Sequence, residues 1–385
     1  MKIVIAPDSF KGSLSAKQAA EAMAEGARRL FPAAEIICVP MADGGEGTVE
    51  TLLEATGGKP FHTTVAGPLG APVSATWGML GDGTTAVLEM ASASGLTLLR
   101  PEEYNPLLTS TYGTGELIRR ALDAGAARIL IGIGGSATND GGAGMAEALG
   151  ARFLDSHGVP LPRGGAALAG LAAIDLSRLD PRLQLTRIVA ACDVSNPLLG
   201  PQGASAVYGP QKGATPEMVE RLDSALAHLA ELLKEQTGVD VAGVPGAGAA
   251  GGLGAGLIAF TGARLERGVT MVIEAVGLEK ILAGADLVLT GEGKMDRQTI
   301  HGKTPQGVAA AARSRGITVL AIAGTLGEGY EEVYGHGIAA VSSIFPGAIS
   351  LAEALSAAPR LVAGATERLL RAWRSGMAEP TASDI

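Results

Sequence analysis

Aromatic side chains supply only 3% of the 385 residues, so the interior has to be assembled from Ala, Val, Leu and Ile. Cysteine is nearly absent as well. Cys38 and Cys192, far apart in the sequence, are too few for a disulfide framework, and no zinc-type Cys/His spacing exists. Both lie in apolar strand-like runs and are expected to be buried thiols in a reducing cytosol. Charge is sparse at 18% and the net charge is −9. That balance leaves no basic field for nucleic acid or an anionic membrane, although single loops can still favour an anionic small molecule. No apolar run of membrane type is present. The one long uncharged stretch, residues 241–261, is dense in Gly and Ala rather than Leu, Ile and Phe, and reads as a buried loop and helix start. The apolar run at the N-terminus is too short for a signal peptide, so the expected location is the cytoplasm. Residues 379–385 are expected to fray.

Glycine is abundant instead. Its 56 copies are about twice the ~7% average share, which implies many tight loops and close backbone approaches of the kind phosphate sites use. With 47% hydrophobic residues the chain can bury a sizeable core.

The opening pattern is strand 2–6, helix 15–30 capped by Ser13 or Ser15, strand 35–39 and helix 48–56, the start of a doubly wound parallel sheet. The rhythm then changes. Runs 61–66, 73–80 and 85–91 look like an antiparallel meander. Alternation returns through 114–124, 128–133, 142–150 and 187–192, and a long helix is expected at 216–236, capped by Thr215 with Pro216 at its first position. Strands near 286–290, 317–323 and 338–344, with helices at 304–315, 328–335 and 350–374, restore the parallel pattern. The simplest account is an α/β chain with a discontinuous parallel-sheet domain, residues 1–65 plus 285–385. A mixed α/β domain, residues 66–284, is inserted into it, and a site is expected in the cleft between the two.

Chemistry concentrates where strands end. Strand 286–290 runs into Leu289-Thr-Gly-Glu-Gly-Lys-Met-Asp-Arg-Gln-Thr-Ile-His-Gly-Lys-Thr304, and loops beyond the carboxyl ends of strands are where open α/β sheets bind ligands. Ala6-Pro-Asp-Ser-Phe-Lys-Gly-Ser13 leaves strand one, with Asp8 able to orient a hydroxyl and Lys11 to neutralise an anion; a plain turn with a solvated lysine is the alternative. After strand two, Asp43 and Glu46 flank Gly44 and Gly45, a pattern that suits Mg²⁺ or helix capping. Ile131-Gly-Ile-Gly-Gly-Ser-Ala-Thr-Asn-Asp-Gly-Gly142 has glycines that admit phosphate oxygens, a helix start to add its dipole, and donors on Ser136, Thr138 and Asn139. It also satisfies a loose G-x-G-x-x-A dinucleotide fingerprint, but the polar insertion delays the helix. Asp193 and Asn196 leave strand 187–192 as a metal or hydroxyl site, or as an Asx turn before Pro197. Gln211 and Lys212 sit on a turn nearby. Gly302-Lys-Thr304 is an incomplete P-loop in which Lys303 can still act on a phosphate as a point charge. Of the five histidines only His301 falls in such a loop.

Six runs, taken in order, resemble the bacterial glycerate kinase family: residues 6–13, 41–47, 134–142, 209–213 (Gly-Pro-Gln-Lys-Gly), 251–256 (Gly-Gly-Leu-Gly-Ala-Gly) and 290–296. The resemblance spans Met1 to about residue 345. It departs from the family pattern at Lys294, where an Arg is usual and would offer a planar fork, and at Tyr208, where Phe is usual. The resemblance implies a flavodoxin-like domain interrupted by a second α/β domain, and ATP-dependent phosphorylation of D-glycerate to 2-phosphoglycerate. The roles expected from it, together with the residue chemistry, are as follows. Asp8, Ser9, Lys11, Lys294 and Arg297 bind substrate. Asp296 accepts the hydroxyl proton, with Asp193 competing for that role. Gly134, Gly135, Ser136, Thr138, Asn139 and Lys303 hold ATP phosphates, and Asp43, Glu46 or Asp193 holds Mg²⁺. A glycerate 3-kinase, a nicotinamide-dependent hydroxy-acid oxidoreductase and a carboxylate-sensing module are the rival readings. The sequence leaves oligomeric state open, a homodimer among the alternatives.

Overall fold

A computed structural model describes residues 1–377. The chain divides into two compact units, residues 1–43 together with the chain from 272 onward, and residues 44–271.

The first unit is built on a parallel sheet whose strands lie in the order Ala340–Ser343, Thr318–Leu326, Leu287–Met295, Lys2–Ile5 and Glu35–Cys38. Continuous apolar runs such as Ile3-Val-Ile5 and Leu287-Val-Leu289 are fully buried, as strands covered on both faces require. The helix Ala16–Leu30 begins at a capping box: Ser15 Oγ accepts from the Gln18 amide at 3.2 Å and Gln18 Oε1 from the Ser15 amide at 3.0 Å. Its small buried face, Ala19, Met23 and Ala27, packs with Val362 and Ala365 of the helix Ala358–Met377. A Cβ on Gly26 would lie 2.2 Å from the Ala363 carbonyl oxygen, so only glycine permits that helix spacing.

The second unit has a mixed sheet in the order Arg264–Glu266, Arg187–Ala191, Arg128–Gly132, Thr85–Glu89, Pro72–Met79 and Lys59–Ala66. The first four strands are parallel and the last three form the antiparallel meander. The helix Pro216–Thr237 starts at Thr215, whose Oγ1 accepts from the Met218 amide at 3.3 Å, and packs Leu226, Leu229 and Leu233 into the core.

Several sequence expectations shift. Lys59–Ala66 pairs residue for residue with Pro72–Met79 as the first strand of the expected meander, but the unit that holds it begins at residue 44 and not after residue 65. The segment expected as helix 328–335 is a 3₁₀ stretch, Tyr330–His336, bracketed by left-handed Gly329 and Gly337. The single helix expected over 350–374 is two, Leu351–Ser356 and Ala358–Met377, because Pro359 cannot donate within a continuing helix. In residues 241–261 the helix is Ala249–Thr261, and Ala250, Gly251 and Gly252 at its start have left-handed φ values of 54°, 67° and 86°. Neither cysteine is a buried core thiol: Cys38, ending its strand at the sheet margin, is exposed and Cys192 is half-buried. No helix among the described residues is long and apolar enough to cross a membrane. The segment 379–385 lies outside the described residues.

Candidate active site

In the first unit's sheet, Lys2–Ile5 and Leu287–Met295 are neighbours whose chain connections depart in opposite directions, toward Glu35–Cys38 and toward Thr318–Leu326. Such a reversal leaves a crevice at the carboxyl ends of the two strands, and the charged motifs emerge there. Backbone pairing carries on past the first strand, with the Asp8 amide donating to the Gly291 carbonyl at 2.8 Å. Asp8 Oδ2 accepts from Thr304 Oγ1 at 2.5 Å and Oδ1 from the Ser9 amide at 2.6 Å. Burial first, then the neighbouring Asp43 carboxylate, push Asp8 up to about 6 against those bonds and the Lys11 charge. Lys11 itself is exposed.

Strand alternation puts Glu292 and Lys294 on one face, with Asp296 directly after the strand. Glu292 is 8% exposed. Its Oε1 accepts from Thr299 Oγ1 at 2.7 Å, and its Oε2 lies 3.6 Å from Lys303 Nζ. Burial, helped by the Asp8 charge, pushes Glu292 up to about 7 against Thr299 and Lys303. Lys303 Nζ is also 3.8 Å from Asp296 Oδ1, while Lys294 Nζ is 3.0 Å from Asp296 Oδ2. Burial would raise Asp296, but the bonds from Lys294 and the Gln298 amide, with the charges of Lys303 and Lys294, outweigh it and hold the carboxyl below its ordinary range. The result is a chain of carboxyl and ammonium groups in turn, Glu292–Lys303–Asp296–Lys294, fully alternating in charge once Glu292 has ionised. Arg297 turns away to pair with Glu332 at 2.9 Å, and His301 is exposed in the same turn.

Glu292 makes the stability of the fold depend on pH. Its folded value of about 7 lies above the ~4.3 of an unfolded glutamate, so between the two the folded state holds a proton that the unfolded state has released. That contribution is full below the unfolded value and is lost as pH rises through 7. Asp8, raised to about 6, acts in the same sense at lower pH. The melting temperature is therefore expected to fall between pH 5 and 8, and Glu292→Gln to flatten the upper part of the fall. Parallel curves for the two proteins in differential scanning fluorimetry would remove Glu292 as the cause.

The second unit places the glycine loop after Arg128–Gly132. Gly134 and Gly135 are exposed, whereas Ser136, Thr138, Asn139 and Asp140 are buried. This revises the picture of side-chain donors offered to a phosphate. Asn139 Nδ2 donates to Ser205 Oγ at 2.9 Å, and Ser136 Oγ accepts from Lys212 Nζ at 2.8 Å. The expected contribution of the helix start is also taken, because Asp140 accepts from the Gly142 and Gly144 amides at 3.1 and 3.2 Å and from the Thr111 amide at 2.8 Å. The following helix, Ala143–Ala148, has six residues. What remains open is backbone: a Cβ built on Gly134 meets no atom within 4 Å. Gly134 and Gly135 line a cavity of 440 Å³ with Glu46, Thr76, Glu89 and Ser92. Glu46 and Asp193 are both exposed, and Asp193 Oδ1 accepts from the Gly268 amide at 3.1 Å.

Among the described residues no three His, Cys, Asp or Glu groups converge as a metal cluster. A Mg²⁺ ion that works with phosphates asks for only one or two carboxylates. The Asp8–Asp43 pair, close enough for one charge to raise the other, fits that demand.

The sequence assigned no role to Glu292, Thr299, Thr304, Asp140 or Lys212. Glu292 had a legible signal in its spacing of two from Lys294. Lys212 stood out only as a turn residue within the run 209–213, and the threonines had no signal, because the partners of all three are distant in the chain or unmarked by it.

The family model described as Glycerate kinase family matches residues 3–374. The chain is 56% identical over 354 residues to a protein of Bacillus subtilis (strain 168) named glycerate kinase, covering 92% of this chain and 93% of that one. It is 52% identical over 375 residues to a protein of Escherichia coli (strain K12) named glycerate 2-kinase, covering 97% of each. A crystal structure assigned to glycerate kinase 2 from Salmonella typhimurium LT2 superposes with a TM-score of 0.91 at 52% identity, over 98% of this chain and 99% of that one.

Proposed function

The chain belongs to the glycerate kinase family, and on that premise we propose that it transfers the γ-phosphoryl group of ATP to the 2-hydroxyl of D-glycerate. The observation that carries this reading is the Glu292–Lys303–Asp296–Lys294 chain of charges at the strand reversal. Phosphoryl transfer needs positioning, charge neutralisation and a proton acceptor, and this chain supplies all three. The 2-hydroxyl is favoured by the relative named glycerate 2-kinase.

In this reading Lys11 and Lys294 neutralise the glycerate carboxylate, with Arg297 at the rim. Asp8 and Ser9 orient a hydroxyl. Asp296 takes the hydroxyl proton: it is ionised throughout the neutral range, and two ammonium groups stabilise the charge around it. Asp193 is the competing acceptor. Lys303 draws a phosphate oxygen toward Asp296. In the second unit, the exposed Gly134 and Gly135 amides receive the ATP phosphates, and Ser136, Thr138 and Asn139 shape the loop from beneath. Mg²⁺ would be held by Asp43 with Asp8, and Glu46 and Asp193 are the second unit's candidate ligands. Once bound, it neutralises charge on the β- and γ-phosphates. The reading also takes the protein as a cytoplasmic enzyme, and a homodimer is compatible with it.

The test is ADP release from ATP, D-glycerate and Mg²⁺, with the product passed directly to enolase. ADP release with immediate enolase turnover supports the 2-phospho product. ADP release without it moves the acceptor to the 3-hydroxyl, and no ADP with glycerate sinks the reading. Gly134→Ala tests the loop. The methyl group has room in the fold but occupies the approach to the amides. Loss of roughly one hydrogen bond should raise KM for ATP about ten-fold, with KM for glycerate unchanged. An unchanged KM for ATP would move the phosphates elsewhere.

A further inference from the structure

Lys212 is 1% exposed and is among the largest fully buried side chains of the protein. It stands on the short turn Pro210–Lys212, closed by left-handed Gly213. Its ammonium donates to Ser136 Oγ at 2.8 Å and to the Thr138 carbonyl at 2.6 Å. The Thr138 carbonyl is hemmed in on another side by Gly251, whose Cβ would lie 1.9 Å from it. Asp140, also buried, stands at the far end of the same loop and is satisfied by Thr111 and by the Gly142 and Gly144 amides. Burial pulls Lys212 down to about 7, while the Asp140 charge acts the other way.

A buried ammonium group costs several kcal/mol in desolvation, and an apolar side chain of equal length would pack there at lower cost. The benefit of the lysine therefore lies in what it orients. Two bonds from one cation, to a side chain and to a carbonyl two residues apart, fix the path of the backbone between them. Gly134 and Gly135 lead directly into that fixed segment.

We propose that Lys212 is a positioning residue for nucleotide binding, acting through Ser136 and Thr138 to hold the Gly134–Gly135 amides in the orientation that receives the ATP phosphates. It does not itself touch substrate. The proposal rests on the reading of this loop as the phosphate site.

The experiment is steady-state kinetics of Lys212→Met, Ser136→Ala and the double variant, each checked for fold by circular dichroism. A hydrogen bond to a charged group is worth enough for a ten-fold or larger change, so Lys212→Met should raise KM for ATP by about that factor. KM for glycerate should stay within about two-fold, since its proposed ligands are other residues. Ser136→Ala keeps the Thr138 bond and should raise KM for ATP by a smaller factor. The double variant should be no worse than Lys212→Met, because Ser136 Oγ has lost its donor already. A folded Lys212→Met with wild-type KM for ATP overturns the proposal, as does an equal change in kcat and both KM values, which would mean a general structural role. If Lys212→Met does not fold, Ser136→Ala decides, and an unchanged KM for ATP there overturns it. Gly134→Ala separates the two levels: if it raises KM for ATP while the Lys212 and Ser136 variants do not, the phosphate reading stands and this inference fails. If none of them moves it, both fail.

Discussion

Asp296→Asn is expected to lower kcat by ~10²–10⁴, the usual worth of general-base assistance, and to change KM for either substrate only a few-fold. The substitution is conservative in structure. Asp296 caps the turn Arg297–His301 by accepting from the Gln298 amide at 3.0 Å, and its own amide donates to Thr299 Oγ1 at 3.1 Å. An asparagine oxygen can accept the same capping bond, so the turn survives. What is lost is the negative charge between Lys294 and Lys303 and the ability to take a proton. The low proton affinity of Asp296 is no obstacle to that role in this chemistry, because the transition state is loose and catalysis is mainly positioning and electrostatic stabilisation. The same coupled ADP-release assay reads the result. Near-normal turnover in Asp296→Asn, with a collapse in Asp193→Asn, would transfer the proton to Asp193.

Lys303→Met should lower kcat/KM by ~10²–10³, the scale seen when one preorganised charge stabiliser is removed. Lys303 is the only described cation within 4 Å of both Glu292 and Asp296. Without it each of the two carboxyl groups loses a counter-charge. The Lys303 charge helps to hold Asp296, the proposed proton acceptor, below its ordinary range, so its removal raises Asp296. The acid limb of the kcat/KM profile should therefore move toward higher pH in Lys303→Met. A loss of activity with an unmoved acid limb would separate Lys303 from the proton acceptor and leave it a phosphate contact alone.

Much of this was legible in the chain. The glycine-rich segments after strands, the capping boxes and the alternation of Glu292 and Lys294 are local signals, because strand period, turn chemistry and cap geometry are settled within a few residues. The family pattern adds substrate chemistry to them, since six separate runs fall in the family's order. Where local signals conflict or are silent, the expectation slipped. The apolar rhythm of 350–374 continued through Pro359, but its missing N–H ended one helix and began another. The loop at 134–142 looked like a set of polar donors for a phosphate, and most of those groups point into the protein.

The sequence by itself determined the class of the fold, the glycine loops beyond strand ends, the scarcity of catalytic cysteine and histidine, and the family with its chemistry. Only the tertiary structure decided where the second unit begins, which carboxylates are raised and which is held low, and which loop groups remain free. The reason is distance along the chain. Asp8 meets Thr304 across 296 positions and Lys212 meets Ser136 across 76. Burial, which moves Asp8, Glu292 and Lys212 away from their ordinary proton affinities, is a property of everything packed around a group and not of its neighbours in sequence.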